Sequence, residues 1–271
     1  MEQPGKEFKR SSVDCFGYRI PFIEAGTGDV IISLPGSAGL EASTAKDMLA
    51  GRYKVIEFDP PGWGDTPALP AQMKQKHLAV ILAEAVAELG IERYHLLGTS
   101  MGGTNAMWLA GLYPDRVKSL TFEAPMLFTR DEDLHHPEAN KMIEALVAGA
   151  PLPDVSAYPA PPPHPRKPWA TADFFRNQMK NRLKMMAKSD HAYDHPDLHA
   201  FASKLKMPIQ LLFGTADEIY KATYPTHFSK SVPTAEVIVI PDAVHDVQNS
   251  APEKFVEQML AIVRRQISMD A

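Results

Sequence analysis

The stretch Tyr94-His95-Leu96-Leu97-Gly98-Thr99-Ser100-Met101-Gly102-Gly103-Thr104-Asn105-Ala106-Met107-Trp108-Leu109-Ala110 decides the architecture. Tyr94 to Leu97 has the length and composition of a buried strand, and Thr104 to Tyr113 reads as a helix stopped by Pro114. Between them, Gly98-Thr99-Ser100-Met101-Gly102 fits the pattern G-x-S-x-G. A serine on a tight bend between strand and helix is held in strained backbone, and small residues two before and two after it are needed to avoid a clash. The helix that follows points its free N–H groups to the same spot, where they would stabilise negative charge. The plainer alternative is a glycine-rich turn in a binding protein; the flanking strand and helix favour the reactive bend.

Outward from this segment, strands are expected at Tyr18 to Ala25, Val30 to Leu34, Tyr53 to Phe58, Val117 to Phe122, Ile209 to Phe213 and Val237 to Ile240. Apolar residues at helical spacing between Met73 and Leu89, closed by Gly90, predict a helix, with further helical stretches from Ala222 and from Pro252 to the C-terminus. Such alternation predicts an α/β fold, a mainly parallel sheet with helices on both faces. From Met126 to Lys206 no strand is evident, far more than the usual ~4 to 6 residues of a connection. The expected organisation is therefore a core of residues 1–125 and 207–271 with an inserted helical cap of residues 126–206. Eight prolines between Pro151 and Pro168 suggest a stiff extended arm within that cap. After the arm, a helix at about Thr171 to Ser189 carries Phe175, Met179, Leu183 and Met186 on one stripe.

Composition narrows the function classes. The chain has 271 residues, 45% hydrophobic side chains and a net charge of -5, which argues against a nucleic-acid surface. With Cys15 as the only cysteine, no intramolecular disulfide can form. No run approaches the ~20 apolar residues of a membrane span, and Met1 to Ser12 lacks the apolar centre of a secretory signal, so a cytoplasmic enzyme or binding protein is expected.

A serine hydroxyl attacks a carbonyl only when a base takes its proton, which calls for a histidine and a carboxylate to orient it. His245, in Asp242-Ala243-Val244-His245-Asp246, follows one expected strand, and Asp217, in Gly214-Thr215-Ala216-Asp217, follows another. Alone, each would read as an ordinary loop residue. Placed at strand ends in the order Ser100, Asp217, His245, they form a candidate triad.

With these residues the chain resembles the α/β-hydrolase superfamily over nearly its whole length. Asp59-Pro60-Pro61-Gly62-Trp63-Gly64-Asp65-Thr66 is similar to the family's D-x-x-G-x-G-x-S loop, and the insertion lies where members carry a cap. A serine at the bend disfavours the aspartate-nucleophile branches, the haloalkane dehalogenases and epoxide hydrolases. The family usually reads His-Gly after the strand Val30 to Leu34, whereas this chain has Pro35-Gly36. The resemblance implies oxyanion donors at the backbone N–H groups of Ser37 and Met101. It leaves Glu123, at the end of another strand, as an alternative acid.

Other signals carry less. His191, His195 and His199 are spaced by four, but Pro196 interrupts a common helix face, and no metal or cofactor is called for. His164 to Lys188 holds seven Lys/Arg and one acid, Asp173, a solvated face or an attraction for a substrate carboxylate. The expected activity is a serine hydrolase acting on a small carboxylic ester, thioester or lactone, its apolar or anionic substrate held by the cap stripe. Hydrolysis of a carbon–carbon bond in a diketone-like product of aromatic breakdown, a related elimination, and a ligand receptor with little turnover remain open, as does the oligomeric state. In the carbon–carbon hydrolases an aromatic residue is expected where Asp246 stands.

Overall fold

A computed structural model describes residues 7–64, 66–70, 72–157, 172–187 and 194–270, excluding the side chains at 139, 140, 143, 174, 175, 178, 186, 269 and 270. Eight strands, β1 Lys9–Cys15, β2 Tyr18–Ala25, β3 Val30–Leu34, β4 Lys54–Phe58, β5 Tyr94–Thr99, β6 Val117–Glu123, β7 Ile209–Gly214 and β8 Ala235–Ile240, form one sheet. Their spatial order is β1-β2-β4-β3-β5-β6-β7-β8. The pairs β1/β2 and β2/β4 are antiparallel and all others parallel.

The helices are α1 Thr44–Ala50, α2 Gln75–Glu88, α3 Met101–Leu112, α4 Glu138–Val147, α5 Ala172–Met186, α6 Pro196–Ala202, α7 Tyr224–Ser231, α8 Val247–Ser250 and α9 Pro252–Asp270. Strand side chains alternate between faces, so neighbouring apolar residues serve different helices. Ile32, Leu96 and Leu211 join the cluster that contains Leu82 of α2, Met107 of α3 and Phe228 of α7. Ile31, Leu97 and Leu212 join the one that contains Leu49 of α1 and Phe255 and Met259 of α9. Both faces are thus covered, which explains the near-continuous apolar runs of β3, β5 and β7.

Three elements differ from the sequence expectation. β1 has no apolar period to announce it, because as an edge strand it buries only Val13 and Cys15. Helix α3 starts at Met101, directly after the serine, and not at Thr104. Its two early glycines, poor helix formers, are there for space. A Cβ on Gly102 would lie 2.1 Å from the Leu34 carbonyl oxygen, and one on Gly103 2.2 Å from Pro125 Cβ. Gly102→Ala is therefore expected to destabilise the fold by about 3 kcal/mol, read as a lower urea midpoint at unchanged slope. An unchanged midpoint would show that α3 can move off β3. Finally, Pro196 begins α6 as its first residue, with His195 as the N-cap accepting from the Asp197 N–H at 3.1 Å.

Between β6 and β7 the described residues form α4, α5, α6 and two short 3-10 turns, and the single extended contact is a bridge between Leu134 and Tyr220. Most of the proline-rich arm lies outside the described residues. Helix α5 reaches the core through Met185, 5% exposed, whose side chain fills the space above Gly62. Asn181 of the same helix donates to the carbonyls of Thr66 at 3.1 Å and Gly64 at 3.4 Å.

Candidate active site

Ser100 sits between the end of β5 and the first turn of α3 with φ 49° and ψ -118°. Positive φ is rare for a residue with a Cβ and costs on the order of 1 to 3 kcal/mol, so it persists only where neighbours over-determine it. They do so here. The Ser100 N–H donates to the Glu123 carbonyl at 2.9 Å, and the Ser100 carbonyl accepts from Met126 at 2.7 Å and Gly103 at 2.9 Å. Gly98 beneath cannot carry a side chain, because a Cβ would meet Ala106 Cβ at 2.7 Å and the Gly102 carbonyl oxygen at 2.8 Å.

Asp217 and His245 come from loops after β7 and β8 that are pressed together. A Cβ on Gly214 would lie 2.1 Å from the Ala243 carbonyl oxygen, and the Ala216 N–H donates to that carbonyl at 2.9 Å. The Asp217 carboxylate, fully buried, receives the N–H groups of Ile219 at 2.7 Å and Tyr220 at 2.8 Å on one oxygen. Its other oxygen takes the His245 Nδ1 proton at 2.9 Å. The imidazole ring also packs 5.7 Å from that of Tyr220. Burial of His245 works against its charged form, but the hydrogen bond to Asp217 and the negative charges of Asp217, Glu123 and Glu218 outweigh it. The pKa is held above the ordinary imidazole value.

With Nδ1 engaged, the buried Nε2 is the nitrogen left to accept a proton, and it makes no hydrogen bond to any described residue. Ser100 and His245 line one cavity of about 170 Å³, together with Pro35 to Gly39 and Gln248. Ser100 and His245 thus share a cavity without a hydrogen bond between them, and catalytic hydrogen bonds of this kind often form only when substrate binds. A larger surface groove of about 1100 Å³, lined by Phe16, Tyr18, Met73 and Val80, contains none of these residues.

Glu123 lies at the end of β6, fully buried, and its carboxylate is engaged by residues other than His245. It accepts from the Gln248 backbone N–H at 2.9 Å, from the Gln248 side-chain amide, and from Thr99 Oγ1 at 2.7 Å. Burial first, and then Asp246, push its pKa up against those hydrogen bonds. Met101 is the first residue of α3, where helix geometry leaves the N–H without an intrahelical acceptor. Ser37 is exposed, on the loop facing Ser100. Of the expected cap stripe, Leu183 is buried at 7% exposure and Met179 half-buried, while the side chains of Phe175 and Met186 lie outside the described residues.

Several supports escaped the sequence reading. Gln248 clasps Glu123, and Lys46 pairs with Glu57 in a buried contact whose other Glu57 oxygen holds the Glu41 N–H at 2.8 Å. Asp133, fully buried, accepts from Thr223 Oγ1 at 2.9 Å and pairs with His227, fixing the chain that follows the Asp217 loop. No spacing rule links these residues, because each pair joins different elements of the fold. The spaced histidines serve other ends: His199 pairs with Asp194 and packs on Phe128, His195 packs on Trp108, and His191 lies outside the described residues.

A strained serine between β5 and α3, with a carboxylate–imidazole pair at the ends of β7 and β8, is the arrangement of one large class. The chain has the α/β-hydrolase fold, and its residues 30–154 match the family model described as alpha/beta hydrolase fold. It is 26% identical over 273 residues to a 2-hydroxy-6-oxononadienedioate/2-hydroxy-6-oxononatrienedioate hydrolase from Burkholderia vietnamiensis, with 91% of each chain covered. It is 28% identical to a pimeloyl-[acyl-carrier protein] methyl ester esterase from Chromobacterium violaceum, over 88% of this chain and 96% of the relative. Among solved structures, that of a putative lipase from Acinetobacter baumannii superposes with a TM-score of 0.77 at 18% identity, covering 97% of this chain and 93% of the other, a likeness of fold. Among the described residues no helix is long and apolar enough to cross a membrane.

Proposed function

We propose that the protein is a serine hydrolase of small carboxylic esters, thioesters or lactones. The observation that carries this reading is the buried Asp217–His245 pair at 2.9 Å, which leaves Nε2 without a partner among the described residues while His245 and Ser100 line one cavity. In this mechanism His245 Nε2 removes the hydroxyl proton as Ser100 Oγ attacks the carbonyl carbon, and Asp217 stabilises the imidazolium that forms. The N–H groups of Met101 and Ser37 receive the developing oxyanion, each donor contributing ~3 to 4 kcal/mol. The imidazolium then gives its proton to the leaving alcohol or thiol. A water molecule, deprotonated by the same nitrogen, releases the acyl group and restores the serine. The inserted helices would act as a cap, with Met179 and Leu183 offering apolar contact to the acyl chain and excluding bulk water.

The esterase relative supports the ester reading. The Burkholderia relative, named for a 2-hydroxy-6-oxo dienedioate substrate, favours a second reading, hydrolysis of a carbon–carbon bond in such an acid. Asp246 follows the base here, and its carboxylate accepts from the Asn249 side-chain amide at 2.7 Å. A substrate stacking on an aromatic ring at that position has no counterpart in this chain. The two readings separate on purified protein given a short-chain aryl ester and a 2-hydroxy-6-oxo dienoate in parallel. Ester turnover at least 100-fold faster in kcat/KM supports the first reading, and the reverse ratio installs the second.

A further inference from the structure

The loop Pro35 to Gly39 departs from the family sequence at Pro35, and two side chains hold it from behind. Trp63, 1% exposed, donates its indole N–H to the Gly36 carbonyl at 2.9 Å, and the Gly39 N–H reaches the same oxygen at 3.2 Å. Gly36 itself is packed against the serine: a Cβ there would lie 3.1 Å from Ser100 Cβ. In a trans peptide the carbonyl and the next residue's N–H point in opposite directions. Pinning the Gly36 oxygen therefore fixes the direction of the Ser37 N–H in the same plane. The following plane is pinned as well, because the Ser37 carbonyl accepts from the Arg182 guanidinium of α5. Arg182 is half-buried, and its buried Nε–H makes no hydrogen bond to a described residue, so among the described residues the Ser37 carbonyl is the acceptor that anchors it. The loop carrying Trp63 is gripped by the same helix through Asn181 and Met185.

We propose that Trp63 and Arg182 are positioning residues for the oxyanion donor at Ser37. Trp63 aims the amide from the core side. Arg182 makes the seating of α5 a condition of that aim, so the helix over the site and the stabilisation of charge beneath it are one mechanical unit. Neither residue touches a reacting atom. The catalytic consequence rests on the serine hydrolase reading; the orientation of the amide does not.

A purely structural tryptophan would act through its volume, so the deciding variant keeps the volume. Replacement of Trp63 by benzothienylalanine puts sulfur in place of the N–H. Expected is a fall in kcat for an aryl ester of roughly 10- to 100-fold with KM changed less than twofold. Affinity for a trifluoromethyl ketone, which adds to the serine as a tetrahedral oxyanion, should drop by the same factor. Melting temperature should barely move, and the Ser37 amide cross-peak in a 1H–15N spectrum should shift. Arg182→Met should reproduce the kcat loss and the amide shift, and Arg182→Lys should recover most of both. An unmoved Ser37 amide with unchanged kcat, or a loss confined to KM, overturns the proposal. If the wild-type protein turns over no ester and Ser100 resists a phosphonate, the hydrolase reading fails, while the Ser37 amide still reports whether Trp63 and Arg182 orient it.

Discussion

Replacing Ser100 by Ala should abolish ester turnover, lowering kcat by about 10⁶-fold while the protein stays folded. The expected size follows from the way a triad works as a unit: without the attacking oxygen, neither the imidazole nor the carboxylate has a reaction to assist. A residual acceleration of about 10³ to 10⁴ over water should survive, because the oxyanion donors and the binding surface remain. Fold retention follows from the backbone. The bonds that hold Ser100 at positive φ run through its N–H and carbonyl, to Glu123, Met126 and Gly103, and none uses the side chain. The variant keeps the strain and loses one oxygen, so its unfolding midpoint should match the wild type. A fluorophosphonate should label wild type at one site and leave the variant unlabelled. Activity within tenfold of wild type in the variant would remove Ser100 from the mechanism and with it the proposed function.

How much of this was legible in the chain depends on whether the signal was local. The bend at Ser100 is written in consecutive residues, and Gly98 and Gly102 prove to be small for the steric reasons their spacing suggests, while Gly103 is small because a Cβ would meet Pro125. The strand ends at Gly214 and Ile240 could likewise be read from apolar runs closed by turn residues, which is why Asp217 and His245 stood out. What the sequence hid is contact between elements distant in the chain. Nothing near Trp63 announces that its indole will hold Gly36, 27 residues away, or that Arg182 will reach Ser37, 145 residues away. The preference for Asp217 over Glu123 rests, in the sequence, on the glycine turn Gly214-Thr215-Ala216-Asp217 alone. Both follow a strand, and the partners that occupy the Glu123 carboxylate, Thr99 and the Gln248 amides of α8, come from elements distant from it in the chain. Edge strand β1 was missed for the converse reason, since a strand that buries two side chains carries almost no apolar period.

Asp217→Asn should cost about 10⁴-fold in kcat, and the geometry says why the change of one atom is so expensive. One Asp217 oxygen accepts two backbone N–H groups, from Ile219 and Tyr220. An asparagine must place its carbonyl oxygen there, since its NH₂ cannot face two donors. The NH₂ is then turned to His245 Nδ1, which has to become an acceptor, and the ring proton moves to Nε2, the atom that should receive the serine proton. The base is blocked rather than removed. The pH profile offers a second reading of the same bond. The bond and charge of Asp217 help hold the His245 pKa above 6.5, so the acid limb of kcat/KM in wild type should lie above that value. In Asp217→Asn burial remains and the carboxylate charge is gone, so the limb should move to lower pH while the plateau falls. Linkage gives the matching sign for stability. A pKa raised by folding stabilises fully below the unfolded-state value and loses that contribution as pH rises through the folded-state value, so the stability gap between wild type and variant should narrow from mildly acid to alkaline pH. Glu123→Gln is the control. Its partners are Thr99 and Gln248, and it acts on His245 only as a more distant charge, so its loss of kcat should stay within tenfold. If Glu123→Gln proved the more damaging of the two, the orienting carboxylate would belong to β6, and His245 would have to swing away from Asp217 during turnover.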